Sequence, residues 1–392
     1  MTVKISQVVG STKDAVLRHA TLSSMGCHGR TARIGSLRGL SPDQLHDLRG
    51  FAVRNRVGPI VAHAVRDAWH GEAPEAREWE ALHRSSEDRM RVLMTVLDDA
   101  ATALAAEGIV MVALKNAGIA RGLHDCPACC PMGDLDVLIN PSRFREAHAI
   151  LLATGFELAS RSVVEPADLE HGLLSGGTEY IQRVGGHEVW FELQWRPVAG
   201  RWIRRDQEPA AADLISRSIA IEGSDVRLLA PEDNLLQVCL HTTKHSYVRA
   251  PGLRLHTDVD RIVSHQEIDW IAFLARARAM SSETACFLSL QLAATLLDTP
   301  IPPHVLAELR PNSLKLGVLL RWIRRADVFE PDAPKFSRPE MLGFHALLYD
   351  DATGLLASVL DVEPGEVNLR HLPSNLRRGA RRVWDVMSRY QR

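Results

Sequence analysis

Along the chain the spacing of apolar residues changes twice. From Ser41 they recur every three or four positions, which is the helical period. Ser41-Pro42-Asp43-Gln44 supplies a capping hydroxyl followed by Pro at the first helical position, and LHDLRGFAVRNRVGPIVAHAVRDAW continues at that spacing. A long helix is predicted over Ser86–Glu107, closed by Gly108. After Gly108 the runs become short and β-branched. IVMVALK and Met132–Asn140 read as strands, the second ended by Asn140-Pro141, and FREAHAILLATG reads as a helix with Gly155 as its cap. Glu179–Arg183 and His187–Trp195, joined at Gly185-Gly186, read as a hairpin. Helical spacing returns from Pro231 in PEDNLLQVCLHTTKHSYV, VDRIVSHQ, DWIAFLARARAM and ETACFLSLQLAATLLD.

The pattern predicts an α+β protein. It divides into a poorly structured segment over 1–40, a helical region over 41–107, an α+β core over 108–228, a helical domain over 229–325 and a helical extension over 326–392. Asn375–Arg392, with Arg377, Arg378, Arg381, Arg382, Arg389 and Arg392, is a basic amphipathic helix candidate, read as a solvated face at the chain end.

Composition narrows the class. The 392 residues carry 46 basic and 48 acidic side chains, a formal net charge of −2. That balance disfavours nucleic acid as the partner, and aromatic residues at 5% leave little for stacking on single strands. No apolar run is long enough to span a bilayer, and six cysteines are too few for a disulfide scaffold. The expectation is a reduced, cytoplasmic protein.

The most informative stretch is Gly133-Asp134-Leu135-Asp136-Val137-Leu138-Ile139. Side chains alternate along a strand, so Asp134 and Asp136 share one face, ~7 Å apart, while Leu135 and Val137 take the other. Two such carboxylates repel unless something positive lies between them, and a divalent metal does this commonly. Hard oxygen ligands suit Mg²⁺, with Mn²⁺ as an alternative, and such an ion in turn holds nucleotide phosphates. Glu192 lies mid-strand in Val189-Trp190-Phe191-Glu192-Leu193-Gln194-Trp195, where a charge needs a partner. If that strand lies beside the first, Glu192 completes a three-carboxylate cluster that can carry a metal and act as base. The plainer reading has Asp134 opening a turn and Asp136 paired with an arginine.

The ordered series resembles a family. Leu114-Lys115-Asn116, then Met132 to Ile139, then Phe191-Glu192-Leu193-Gln194-Trp195 look like the corresponding motifs of the uncharacterised nucleotidyltransferase family, of the DNA polymerase β-like nucleotidyltransferase superfamily. The likeness continues through Leu229–Leu236, Leu240–His245, Thr257–Val263 and Asp269-Trp270, over roughly residues 45–300. It implies a small mixed sheet with flanking helices and metal-dependent nucleotidyl transfer. Asp134, Asp136 and Glu192 would bind the metal. Lys115, Asn116 and Gly133 would fall at the nucleotide, Lys115 bringing positive charge to the triphosphate. His241, Lys244, His245 and Gln194 would line the substrate cleft. Asn116 stands where the family has Gly, Gln194 where it has His, and Cys126-Pro127-Ala128-Cys129-Cys130-Pro131 where an arginine is usual.

The expected donor is a nucleoside triphosphate or a nucleotide-activated compound, and the acceptor a hydroxyl or phosphate of a small molecule or peptide. The alternative is a catalytically weakened fold that binds peptide or nucleotide. Cys126-x-x-Cys129 has metal spacing but no second CxxC or HxxxH at finger distance, so its cysteines read as incidental. His241 and His245 share a helix face but lack the acid of HExxH, and Asp258 and Asp260 could orient these basic groups or be solvated. No Walker A, GxGxxG or GxSxG motif occurs.

Overall fold

A computed structural model describes residues 14–28, 30–70, 72–124, 126–161, 167–197 and 207–355. Its centre is one mixed seven-stranded sheet in the order β3-β4-β5-β2-β1-β7-β6. The strands are β1 (Met111–Ala113), β2 (Asp134–Leu138), β3 (Glu157–Ala159), β4 (Gly177–Val184), β5 (His187–Gln194), β6 (Ile219–Ala220) and β7 (Val226–Leu228). β1 runs antiparallel to β2 and parallel to β7, and β2 runs parallel to β5. The hairpin β4–β5 turns at Gly185 and Gly186, both at positive φ (58° and 79°), the paired left-handed conformation a tight two-residue turn demands.

Alternation gives the sheet two unlike faces. Leu135, Val137, Phe191 and Leu193, all fully buried, belong to the main core. The long helix Ala76–Ala106 packs on β1, β2, β5 and β7. It buries Leu93, Val96, Leu97, Ala100, Ala101 and Leu104, a stripe at three- and four-residue spacing. The opposite face carries Asp134, Asp136 and Glu192. Farther along this face Val112 and Leu138 meet Leu214 of the helix Ala211–Arg217 in a small separate apolar cluster. The polar groups therefore lie at one end of a face whose other end is sealed.

The helix Lys115–Gly122 follows β1 directly and lies very close to the sheet. A β-carbon at Gly118 would come within 2.9 Å of the Ala113 carbonyl oxygen, and one at Gly122 within 2.4 Å of a Leu228 methyl. The helix Pro231–Lys244 is buried along most of its length and packs on the helices Leu253–His265, Trp270–Ala279 and Glu283–Leu297. Arg276 ties it to its neighbour, 3.0 Å from Asp233 and 3.3 Å from Glu232.

The predicted elements occur with adjusted ends. The helix expected from Ser86 begins ten residues earlier, at Ala76. The run IVMVALK is strand only over Met111–Ala113, because Lys115 already opens the next helix. Residues 1–40 were expected to be poorly structured, yet helices span Ala15–Met25 and Arg30–Arg38. Their Ser, Gly and Thr content hides the signal: beside Leu22 and Met25 the buried residues of the first helix are the small Ala20, Thr21 and Ser24, where it packs on the helix Gly58–Trp69. The basic candidate Asn375–Arg392 lies outside the described residues.

Candidate active site

Parallel pairing of β2 with β5 sets Asp136 directly opposite Glu192 and Asp134 opposite Trp190. All four side chains therefore emerge on the polar face. Asp136 is 6% exposed, and its Oδ1 accepts from Lys115 Nζ at 2.6 Å and from Gln194 Nε2 at 2.7 Å. The protonated Glu192 carboxyl donates to Asp136. Burial, then the negative charge of Asp136, pushes Glu192 up to about 7. Burial opposes ionisation of Asp136 too, but Lys115 and the hydrogen bonds from Glu192 and Lys115 outweigh it and bring Asp136 down to about 2. The two carboxyls thus divide the roles, one a permanent anion and the other poised to exchange a proton near neutrality.

Asp134, at the open end of β2, accepts from Arg161 at 2.5 Å. Arg161 also binds Glu179 of β4 at 2.6 Å and lies over the Trp190 ring, 5.3 Å from its centre. The plainer reading of the Asp-x-Asp motif does not hold: Asp134 begins β2 rather than a turn, and Asp136 pairs with Lys115 while the arginine takes Asp134.

Lys115 has a left-handed backbone (φ 51°), uncommon for a residue with a β-carbon, and its N–H donates to Gln237 Oε1 at 3.2 Å. That turn aims its ammonium at the carboxylates. Burial alone would lower its pKa, but Asp136, Glu192 and Asp134 raise it. Asn116 is buried beside it, with Oδ1 lacking a protein partner among the described residues.

The opposite wall is basic. His241 and His245, one turn apart at the end of Pro231–Lys244, meet edge to face at 4.9 Å between ring centres. Burial, then Lys115, holds His241 well below its ordinary pKa, and burial, then Lys244, brings His245 down to about 4, so both rings are neutral. Lys244 is exposed, yet the protein around it, then Lys115, lowers its pKa, while Glu192, Asp136 and Asp134 act the other way. These charges place Lys115, Lys244, His241 and the carboxylates within one electrostatic neighbourhood.

Sequence reasoning missed two members. Arg161 comes from the loop after β3, and no local motif marks it. Arg254, near the start of Leu253–His265, is half-buried, and among the described residues its Nε has no partner and its guanidinium no ion pair within 4 Å. Burial lowers its pKa, and Asp258 and Asp134 are the charges that counter this. Asp258 and Asp260 are buried rather than solvated. Asp260 accepts from the Cys27 N–H and from Thr299 Oγ1, both at 2.7 Å, and so fastens the first helix to the helical domain.

Three carboxylates form an oxygen-only donor set, which suits a hard divalent cation such as Mg²⁺. The negative charge gathered there is balanced by a proton on Glu192, by Lys115 and by Arg161. As they stand, Asp134, Asp136 and Glu192 do not bring three ligand atoms within 4.8 Å of one another, so a cation would displace Arg161 and the shared proton.

A family model described as uncharacterised nucleotidyltransferase matches residues 41–298. The chain belongs to this family. The match takes in the sheet, the three carboxylates and the helical wall opposite them. Neither the curated proteins nor the solved structures contain a match to the chain. Membership makes nucleotidyl transfer the general class of activity and a nucleotide the expected donor. Among the described residues no helix is long and apolar enough to cross a membrane.

Proposed function

We propose that the protein transfers a nucleotidyl group from a nucleoside triphosphate, or a nucleotide-activated donor, to a hydroxyl or phosphate of a small molecule or peptide. The observation that carries this reading is the register of β2 on β5, which pairs a permanent anion, Asp136, with a carboxyl of neutral-range pKa, Glu192. Asp134, Asp136 and Glu192 would hold Mg²⁺ or Mn²⁺, which when bound polarises the phosphate and stabilises charge on the oxygens exchanged at phosphorus.

The chain's own residues do the rest. Glu192, once ionised, takes the proton from the acceptor hydroxyl as its oxygen forms the new bond to the α-phosphorus. The bond from that phosphorus to the bridging oxygen breaks, and the electron pair leaves with pyrophosphate. Arg254 and Lys244 are cations within the field of the carboxylates and without an ion pair among the described residues, and they receive the triphosphate charge. Lys115 exchanges Asp136 for phosphate as the nucleotide binds. Gln194 fixes the rotamer of Asp136, and neutral His241 and His245 accept or donate hydrogen bonds to the acceptor.

A second reading rests on one contact. Gln194, standing where the family has His, donates to Asp136 and so occupies an oxygen a metal would use. On that reading the fold binds nucleotide without turnover. Incubation with nucleoside triphosphates labelled at the α- or the γ-phosphate, Mg²⁺ and pools of hydroxylated small molecules and peptides separates the two. Transfer of the α-label with release of pyrophosphate supports the proposal. Binding with no label moved favours the second reading, and γ-label release alone shows hydrolysis instead.

A further inference from the structure

Cys126 and Cys129 sit at the ends of one tight turn, with the Cys129 N–H donating to the Cys126 carbonyl at 2.9 Å. The turn packs against two helices, Gly58–Trp69 and Ala76–Ala106, and each presents a histidine to it. His83 Nε2 lies 3.2 Å from Cys126 Sγ, the two sulfurs are 3.0 Å apart, and the rings of His63 and His83 are 5.5 Å apart between centres. One ligand atom from each of the four residues lies within 4.8 Å of all the others, and among the described residues this is the one such group of His, Cys, Asp and Glu. His83 and Cys129 are buried, His63 and Cys126 partly so.

We propose that His63, His83, Cys126 and Cys129 form a structural zinc site. Two nitrogens and two sulfurs are the donor set of closed tetrahedral zinc sites. Zn–S near 2.3 Å and Zn–N near 2.0–2.1 Å place ligand atoms roughly 3.3–3.8 Å apart around the ion. The nitrogen–sulfur separation of 3.2 Å needs to open by about 0.4 Å and the sulfur–sulfur separation of 3.0 Å by about 0.8 Å to reach these values, shifts within the reach of side-chain rotation. Four protein ligands leave no open position, so the ion holds structure and does no chemistry. Arg66 lies 3.0 Å from one ring nitrogen of His63 and Asp67 3.8 Å from the other, so His63 is the ligand that must reorient.

The consequence is mechanical. The turn is further pinned by Ser86 Oγ, which donates to the Ala128 carbonyl at 2.8 Å, and by Arg261, which donates to the Cys129 carbonyl at 2.7 Å. A few residues on, the chain enters β2 at Asp134. Zinc would thus fasten the approach to the carboxylate strand onto two helices of the opposite layer, independently of whether the carboxylates bind nucleotide. A redox role for the pair is the competing idea. It requires the sulfurs to close to about 2.05 Å, and it leaves the convergence of two histidines from separate helices unexplained.

The test uses the full untagged chain, purified in reducing buffer without chelator. Elemental analysis is expected to find one zinc per chain. After removal of metal, Co²⁺ is expected to give thiolate-to-cobalt charge transfer and the intense visible bands of tetrahedral cobalt, saturating at one equivalent. Cys126→Ser and Cys129→Ser lose these bands, His63→Ala weakens cobalt binding less than His83→Ala, and Cys130→Ser keeps the full signal. The wild-type titration and the Cys130→Ser control stand even if the other variants fail to fold. Protein that folds without zinc and gives no charge-transfer band overturns the proposal, as does a Cys126–Cys129 disulfide found by mass spectrometry in freshly purified protein.

Discussion

Asp136→Asn and Glu192→Gln, singly and together, probe the division of charge between the two carboxyls. At 2.6 Å and an effective dielectric of about 20, Lys115 and Asp136 attract by ~6 kcal/mol before desolvation is counted. Removing one partner of such a buried pair ordinarily costs about 3–5 kcal/mol, because the other charge is left uncompensated. Here a replacement waits. With Asp136 neutralised, Glu192 loses the anion that keeps it protonated, ionises, and takes over Lys115, so Asp136→Asn alone should cost about 1–2 kcal/mol. Glu192→Gln substitutes one hydrogen-bond donor to Asp136 for another of the same shape and should cost about 0–1 kcal/mol. The double variant leaves Lys115 with neither carboxylate and should cost the full ~3–5 kcal/mol. The singles therefore sum to less than the double, with a coupling of about 2 kcal/mol. Urea denaturation at pH 6 without added Mg²⁺ measures all four proteins while Glu192 is still protonated. A double variant equal to the sum of the singles within about 0.5 kcal/mol would refute the shared-proton account.

Three other outcomes follow from buried groups. His256 is fully buried, with Nε2 on the Tyr247 carbonyl at 2.9 Å, and burial brings it from 6.5 down to about 4. The unfolded chain then binds a proton that the native state refuses. Stability is complete above about pH 6.5 and falls by about 3 kcal/mol towards pH 4, and His256→Gln removes that part of the slope in denaturant titrations at several pH values. Arg254→Gln should weaken triphosphate binding at least tenfold, about 1.4 kcal/mol, in calorimetric titrations, with little loss of thermal stability because among the described residues the guanidinium has no ion pair to lose. Asp260→Asn should cost about 1.5–3 kcal/mol in urea denaturation by weakening the acceptor for Cys27 and Thr299, and should leave nucleotide binding unchanged.

How much the sequence disclosed depended on how local each signal was. Alternation within Asp134-Leu135-Asp136-Val137 fixed which side chains face the polar side, since a strand repeats every two residues whatever surrounds it. The adjacency of Glu192 was legible only as a condition, and the register of β2 on β5 meets it. Arg161 and Arg254 could not be found this way, because Arg161 reaches Asp134 from a distant loop and Arg254 enters the field of Asp134 from a distant helix, with no spacing rule to announce either. The metal cluster shows the same limit from the other side. Cys126 and Cys129 were visible as a pair, but His63 and His83 lie far upstream on separate helices, and only helix packing joins them to the turn. The helix Ala15–Met25 escaped notice because Ala20, Thr21 and Ser24 share its buried face with Leu22 and Met25, which dilutes the apolar spacing a pattern search looks for.

On the proposed function, the three carboxylates and the basic wall opposite them make one site for a metal-bound nucleotide. Thermal unfolding of wild type and Asp134→Asn, each with a nucleoside triphosphate in the presence or absence of Mg²⁺, tests it most directly. A ligand at a hundred times its dissociation constant stabilises the native state by ~2.7 kcal/mol, a readily measured shift. That shift is expected in the wild type only when nucleotide and Mg²⁺ are both present, and should be lost in Asp134→Asn, whose unliganded stability changes little because the Asp134–Arg161 contact is partly exposed. Equal shifts in both proteins, or none with any nucleotide, would contradict it.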